Sequence, residues 1–303
     1  MFATLLGPLP RPPLAADARV DDLVTAAVRA QEAAGLEPLA DGGLRGDEPP
    51  LTAWLATAGL TDRAVKQVLA GPYTGGRAGG GDAAARTART LDLASRGNAV
   101  IKELATAGCP LVEVHEAAAV AIGTDEAERA LFREAQLRLL DGVDRPHASL
   151  AIVGGSAHEA GIDTILAAPY ASLAVDLIAG PDNWKLVAVT PGECGVVCGA
   201  LQPGPGTNDG PELLLWAASY AASTQGRGPG RVGLASASSL AALDWPAAVA
   251  KLEALGRAVR LAVGPVDERL AAFDPRAISS RAAALGTVDV PPPAPPPRDG
   301  EPT

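Results

Sequence analysis

The chain has 303 residues, 48% of them hydrophobic and 20% charged, a balance that excludes a wholly disordered polymer and leaves room for two domains or one large α/β barrel. Aromatic residues make up only 3%, so the interior has to be built from layers of Ala, Leu and Val. Twenty-five basic against thirty-five acidic side chains give a net charge of −10, which repels phosphate polyanions and acidic membrane surfaces and argues against nucleic acid as a partner.

The first sixteen residues lack a basic segment and are interrupted by Pro8, Pro10, Pro12 and Pro13, so no secretory signal helix is expected and the chain is read as cytoplasmic. Short apolar runs at 3–6, 38–40, 65–69, 111–114, 150–153, 173–177, 196–201 and 232–235 read as strands. They alternate with Ala-rich helical stretches at 21–34, 82–107, 125–140, 212–223 and 245–255. Asp21, Asp82, Thr124 and Asp244 stand where N-caps belong, and Gly35, Gly108 and Gly256 where helices should stop. Residues 164–175 are the most apolar run and are broken by Pro169, so no membrane span is expected. Cys109, Cys194 and Cys198 are odd in number and too few for a disulfide framework, in keeping with a reducing compartment.

Eight strand–helix units fit a single (β/α)8 TIM barrel over 1–286 better than an open doubly wound sheet, followed by a disordered Pro-rich tail at 287–303. A barrel of this kind collects its chemistry on the loops after the strands, which here begin at Gly7, Asp41, Gly71, His115, Gly154, Asp176, Gln202 and Ser236. Polar side chains gather there. His115 with Glu116 reads as an acid/base pair, with Asp176 beside them as a third catalytic candidate. Arg11, Asp41, Arg45, Tyr73, Thr74 and Ser238 read as substrate-binding residues, the two arginines as anchors for a carboxylate or phosphate. Asp41, Arg45 and His115 are expected to line one pocket. Other apparent motifs fail on spacing: Cys194 and Cys198 are separated by three residues rather than two, and the glycine-rich run at 75–82 lacks the Lys and Ser/Thr of a phosphate-binding loop.

Several of these strand ends carry words that resemble the C-terminal domain of cobalamin-independent methionine synthases, within the superfamily that includes uroporphyrinogen decarboxylase. Residues 7–12, GPLPRP, resemble that family's opening GS-x-PRP turn; QEAAGL at 31–36 and LADGGLR at 39–45 are similar to its Q-E-x-x-G-L and D-G-E-x-x-R words. GPYT at 71–74 resembles its GP-x-T turn, CPLVEVHEAA at 109–118 the segment ending in I-D-E-P-A, and residues 232–245 its last strand. The resemblance implies a TIM barrel whose mouth holds zinc and binds homocysteine as a thiolate that accepts a methyl group from a methyl-folate. It also implies ligands that are missing. Ile152 and Gly154 stand where the family has His and Cys, Asp176 where it has Glu, and Ser238 where it has the last Cys. Pro8, Gly43 and His115 replace the Ser, Glu and Asp of the amino-acid pocket. No metal or other cofactor is therefore expected. Three readings stay open: a methyltransferase homologue without zinc-dependent homocysteine methylation that acts on or binds a small, anionic molecule; a non-catalytic binding or regulatory barrel; and a metal-free decarboxylase-like enzyme. Each leaves room for a homo-oligomer or a partner subunit.

Overall fold

A computed structural model describes residues 1–205 and 210–265; the expected boundary at 286 and the tail at 287–303 lie outside the described residues. The architecture is that of the compact unit Met1–Val263. Its strands are β1 (Phe2–Ala3), β2 (Lys66–Ala70), β3 (Leu111–His115), β4 (His147–Ile152), β5 (Ser172–Asp176), β6 (Gly195–Leu201) and β7 (Val232–Ser236). All pair in parallel, in the order β1-β7-β6-β5-β4-β3-β2, as a curled sheet. Residues 38–40, expected as a strand, make a single parallel bridge from Leu39 to Val65. Pro38 has no N–H to give to a ladder and the turn at Asp41-Gly42-Gly43 follows at once, so too few residues remain for a longer pairing.

The helices are α1 (Val20–Ala34), α2 (Pro50–Ala58), α3 (Pro72–Ala78), α4 (Ala83–Thr106), α5 (Glu126–Leu139), α6 (Ile162–Ile165), α7 (Asn183–Val189), α8 (Pro211–Ser223) and α9 (Trp245–Val263). Asp82 caps α4 by accepting from Ala85 N, and Asp244 caps α9 by accepting from Ala247 N. For α5 the cap is Asp125 rather than Thr124, its carboxylate accepting from Ala127 N and Glu128 N. At α1 the cap position is Arg19, without a side-chain bond, and Asp21 falls in the first turn, where a negative charge suits the helix dipole. Gly35 ends α1 with φ +84°, as its place in the sequence suggests. Gly256 does not end α9, which continues to Val263. It is a glycine because a Cβ there would overlap the carbonyl oxygen of Ala34, where the end of α1 presses on α9.

Strand alternation divides the apolar residues between two clusters. The larger lies between the convex face of the sheet and the helices and includes Val65, Val112, Val114, Leu150, Ile152, Leu173, Val175, Val196 and Leu234. The smaller, Leu6, Ala151, Ala174, Val197 and Ala235, fills the inner face with small side chains. On the outside, Trp184 of α7 meets Trp216 and Tyr220 of α8 with ring centroids 4.5 and 5.4 Å apart, and Trp216 remains 47% exposed. Among the described residues no helix is long and apolar enough to cross a membrane.

Candidate functional site

Because Val112 and Val114 pack outward, Glu113 and His115 of β3 point to the inner face, and Lys66 joins them by the same alternation from Val65. Glu113 stands in register with Val68, so the long Lys66 side chain runs two residues along the strand direction to reach it. The Lys66 ammonium donates to Glu113 Oε2 at 2.7 Å and to the Leu5 carbonyl at 2.6 Å, while His115 Nε2 lies 2.8 Å from Glu113 Oε1. Exposure rises along the chain of contacts: 1% for the Lys66 side chain, 2% for Glu113 and 18% for His115. Burial pushes the Glu113 carboxyl up, but the Lys66 ammonium and His115 outweigh it and bring it down to about 2. A buried ion pair of this kind costs several kcal/mol of desolvation, about as much as its attraction returns. Beside Glu113 in register is Ser149, buried, whose hydroxyl has no hydrogen-bond partner.

Glu116 does not form the expected pair with His115. It leaves the strand on the other side and accepts from Tyr73 N (3.0 Å), Thr74 N (2.7 Å), Thr74 Oγ1 (2.6 Å) and Gln136 Nε2 (2.7 Å), so that its carboxylate holds the N-terminus of α3. Burial pushes this carboxyl up, against the pull of those donors. A side chain at Gly71 would collide with it. Asp176, on the inner face at the end of β5, accepts from Gly154 N (3.1 Å), Ile178 N (2.9 Å) and Ala179 N (2.8 Å), fastening the loops after β4 and β5.

The side chains of Asp41 and Arg45 are spent on contacts within the fold rather than left for a ligand. Asp41 folds back on its own turn, accepting from Gly43 N and Arg45 N. The Arg45 side chain is 4% exposed, and its three nitrogens go to Thr57 Oγ1 (3.0 Å), Glu48 Oε2 (3.3 Å) and Asp21 Oδ1 (3.1 Å), which ties this loop to α1 and α2. Tyr73 is buried in the helix layer, where its hydroxyl donates to Glu128 Oε2 at 2.6 Å and burial pushes its pKa up. The Thr74 hydroxyl donates to Glu116 and accepts from Ala118 N. Arg11 is exposed and donates to the carbonyls of Ala15 and Ala16. Ser238 is half-buried after the end of β7. Of the expected set, then, His115, the last residue of β3, and Ser238, two residues after β7, have side chains that are not bound to loop amides or neighbouring helices. Sequence reasoning missed Lys66 and Glu113; the signal was present, since the residue sharing a face with His115 on a strand is two positions away, not one.

Thiols lie elsewhere. Cys109 precedes β3, Cys194 precedes β6, and Cys198 packs outward with its Sγ toward Ala217 O of α8; all three are buried and free. Ile152 belongs to the outer core, and a side chain at Gly154 would face open space. Among the described residues no three His, Cys, Asp or Glu side chains gather so as to hold a metal ion. A cleft lined by Arg29, Glu32, Thr61 and Arg63 opens beside the loop that enters β2, at the opposite end of the sheet.

Fold and site together define an α/β protein with a curled parallel sheet and a buried charged chain ending in a half-buried imidazole at the C-terminal ends of its strands. No family profile matches the sequence, and no curated protein matches it. Among solved structures the chain is similar to a B12-independent methionine synthase from a Shewanella species in complex with selenomethionine, with a TM-score of 0.71 and 14% identity over 89% of this chain and 98% of that one. At that identity the likeness is one of fold.

Proposed function

We propose that the chain is a methionine synthase-like barrel that binds a small molecule over His115, at the C-terminal ends of the strands, and that it does not carry out zinc-dependent methylation of homocysteine. The observation that carries the reading is His115 itself, partly open at a strand end and backed by a buried carboxylate, on a fold similar to that of a methionine synthase. In this reading residues 38–40, with their single bridge from Leu39 to Val65, take the place of the eighth strand, supported by the bonds Lys66 N to Leu39 O and, just before them, Glu37 N to Ala3 O. Zinc needs thiolate, imidazole or carboxylate ligands converging on one point, and the residues at these strand ends do not fit it: Ile152 faces the outer core, Gly154 has no side chain, Ser238 is a poor ligand and Asp176 is held by three amides. The anionic character expected of the ligand rests on Arg11, since Arg45 is fully engaged.

A second reading, a barrel that binds without catalysing, draws support from Glu116 and Asp176, whose carboxylates are spent on backbone amides rather than left for substrate. Three measurements on the full chain test the proposal. Dialysed protein should hold no stoichiometric zinc, and incubation with methyl-folate and L-homocysteine should give no methionine by mass. Mercaptoacetate or glycolate should raise the melting temperature of the wild type but not of His115→Gln. Retained zinc or methionine formation would overturn the loss of the methylation reaction, and an equal thermal shift in the variant would remove His115 from the site. Recovery of a tested ligand chemically unchanged favours the second reading.

A further inference from the structure

Lys66 and Glu113 stand behind His115 in a way that fixes more than its position. Glu113 is ionised and can only accept, both of its oxygens being bound by cations or N–H groups: Oε2 by the Lys66 ammonium and Oε1 by the imidazole. The contact at 2.8 Å to Nε2 is therefore a hydrogen bond only if Nε2 carries the proton. Lys66 cannot swing away to free the carboxylate, because it is buried and also tied to the Leu5 carbonyl. The other ring nitrogen, Nδ1, has no hydrogen-bond partner among the described residues. A side chain as small as Ala151 stands next to the ring in register, and beyond His115 the chain turns away into the loop carrying Glu116.

We infer that Glu113, anchored by Lys66, locks His115 in its Nε2–H tautomer and presents Nδ1 as a proton acceptor, so that the site takes a ligand that donates a proton, an O–H, S–H or N–H group, rather than a bare anion. This rests on the strand-end site proposed above and names the chemistry of its ligand. In the step it implies, the ligand X–H bond breaks, its electron pair stays on X, and a new Nδ1–H bond forms. The imidazolium so produced is stabilised by the carboxylate already in contact with Nε2–H, which needs no rearrangement. His115 is the group that meets the ligand; Glu113 and Lys66 are positioning residues that act through it.

The tautomer can be read directly. The chain has three histidines, His115, His147 and His158, so long-range 15N–1H spectra of labelled protein in alkaline buffer give few ring patterns, and His115→Gln assigns the one of interest. The wild type is expected to show a single Nε2–H pattern for His115. Glu113→Gln, which places an amide N–H where an acceptor was, should shift that ring toward Nδ1–H, and Lys66→Met should broaden or mix the two forms. A wild-type ring that is Nδ1–H or mixed overturns the inference without any variant, so a misfolded Glu113→Gln would not shield it. An unchanged pattern in both folded variants overturns the positioning role. Thermal shifts with mercaptoacetate separate the two claims: an Nδ1–H ring with binding intact sinks the tautomer but leaves the site, whereas an Nε2–H ring with no response to the thiol does the reverse.

Discussion

Glu113 carries its charge inside the sheet, and the consequence is a definite pH dependence. Its folded pKa of about 2 lies below the ordinary value of 4.5, so the stabilisation it supplies is fully present above about pH 4.5 and is lost as the pH falls through about 2. The stability gap between the wild type and Glu113→Gln in urea melts should therefore be largest near neutrality and shrink toward acid; a gap that widens on acidification would contradict the depressed pKa. Arg45 makes a second case. With all its nitrogens bound to Thr57, Glu48 and Asp21, Arg45→Ala should cost about 2 to 4 kcal/mol of stability, and Lys in its place should recover little because it lacks the planar fork. Equilibrium unfolding decides this, and a loss within the range of an ordinary surface change would return Arg45 to the list of ligand contacts. Residue types at loop starts were legible in the sequence; which of them face the strand ends was not, because Asp41, Arg45, Glu116 and Asp176 are all polar groups that backbone amides and neighbouring helices claim, and such claims depend on contacts distant in sequence.

At the scale of elements, the central strands were easy to read, whereas the strand expected at 3–6 spans only Phe2–Ala3, the one at 38–40 makes a single bridge, and the short helices were not foreseen. The runs around Leu150, Leu173, Val196 and Val232 announce buried parallel strands, since both faces of such strands are largely apolar or small, whereas the run around Val112 does so through its outer face alone. Helices α2 and α3 begin with Pro50 and Pro72, which favour a first turn but look like breaks, and α3 contains Gly75 and Gly76. What holds α3 is not propensity but the Glu116 carboxylate on its first amides. Gly256 is the opposite error, a glycine read as a stop that is needed for close packing. Ala should favour the helix at that position by about 1 kcal/mol, yet a Cβ there would overlap Ala34 O, so Gly256→Ala should destabilise by about 2 kcal/mol. A variant as stable as the wild type in thermal melts would show that α1 and α9 do not approach so closely.

For the whole molecule, the division of the sheet into an outer aliphatic core and a narrow inner one leaves every thiol in the outer layers or the loops that enter strands. Burial pushes Cys109 and Cys194 up to about 11 and Cys198 up to about 12, which leaves almost no thiolate at neutral pH. Native protein should thus resist a thiol-specific reagent, and all three cysteines should react together, at the rate of global opening, when urea is added. Rapid labelling of one thiol in the native state would reveal a local opening around that strand.

The contact between Trp184 and Trp216 has an optical consequence. Two indoles with centroids 4.5 Å apart and planes at 64° are close enough for their transitions to couple, so the far-ultraviolet circular dichroism should carry a pair of bands of opposite sign superimposed on the helical signal. One ring belongs to α7 and the other to α8, so that couplet exists only while the two helices are docked. The protein thus contains its own gauge of whether α7 and α8 stay in contact, readable without a label and absent from either helix alone.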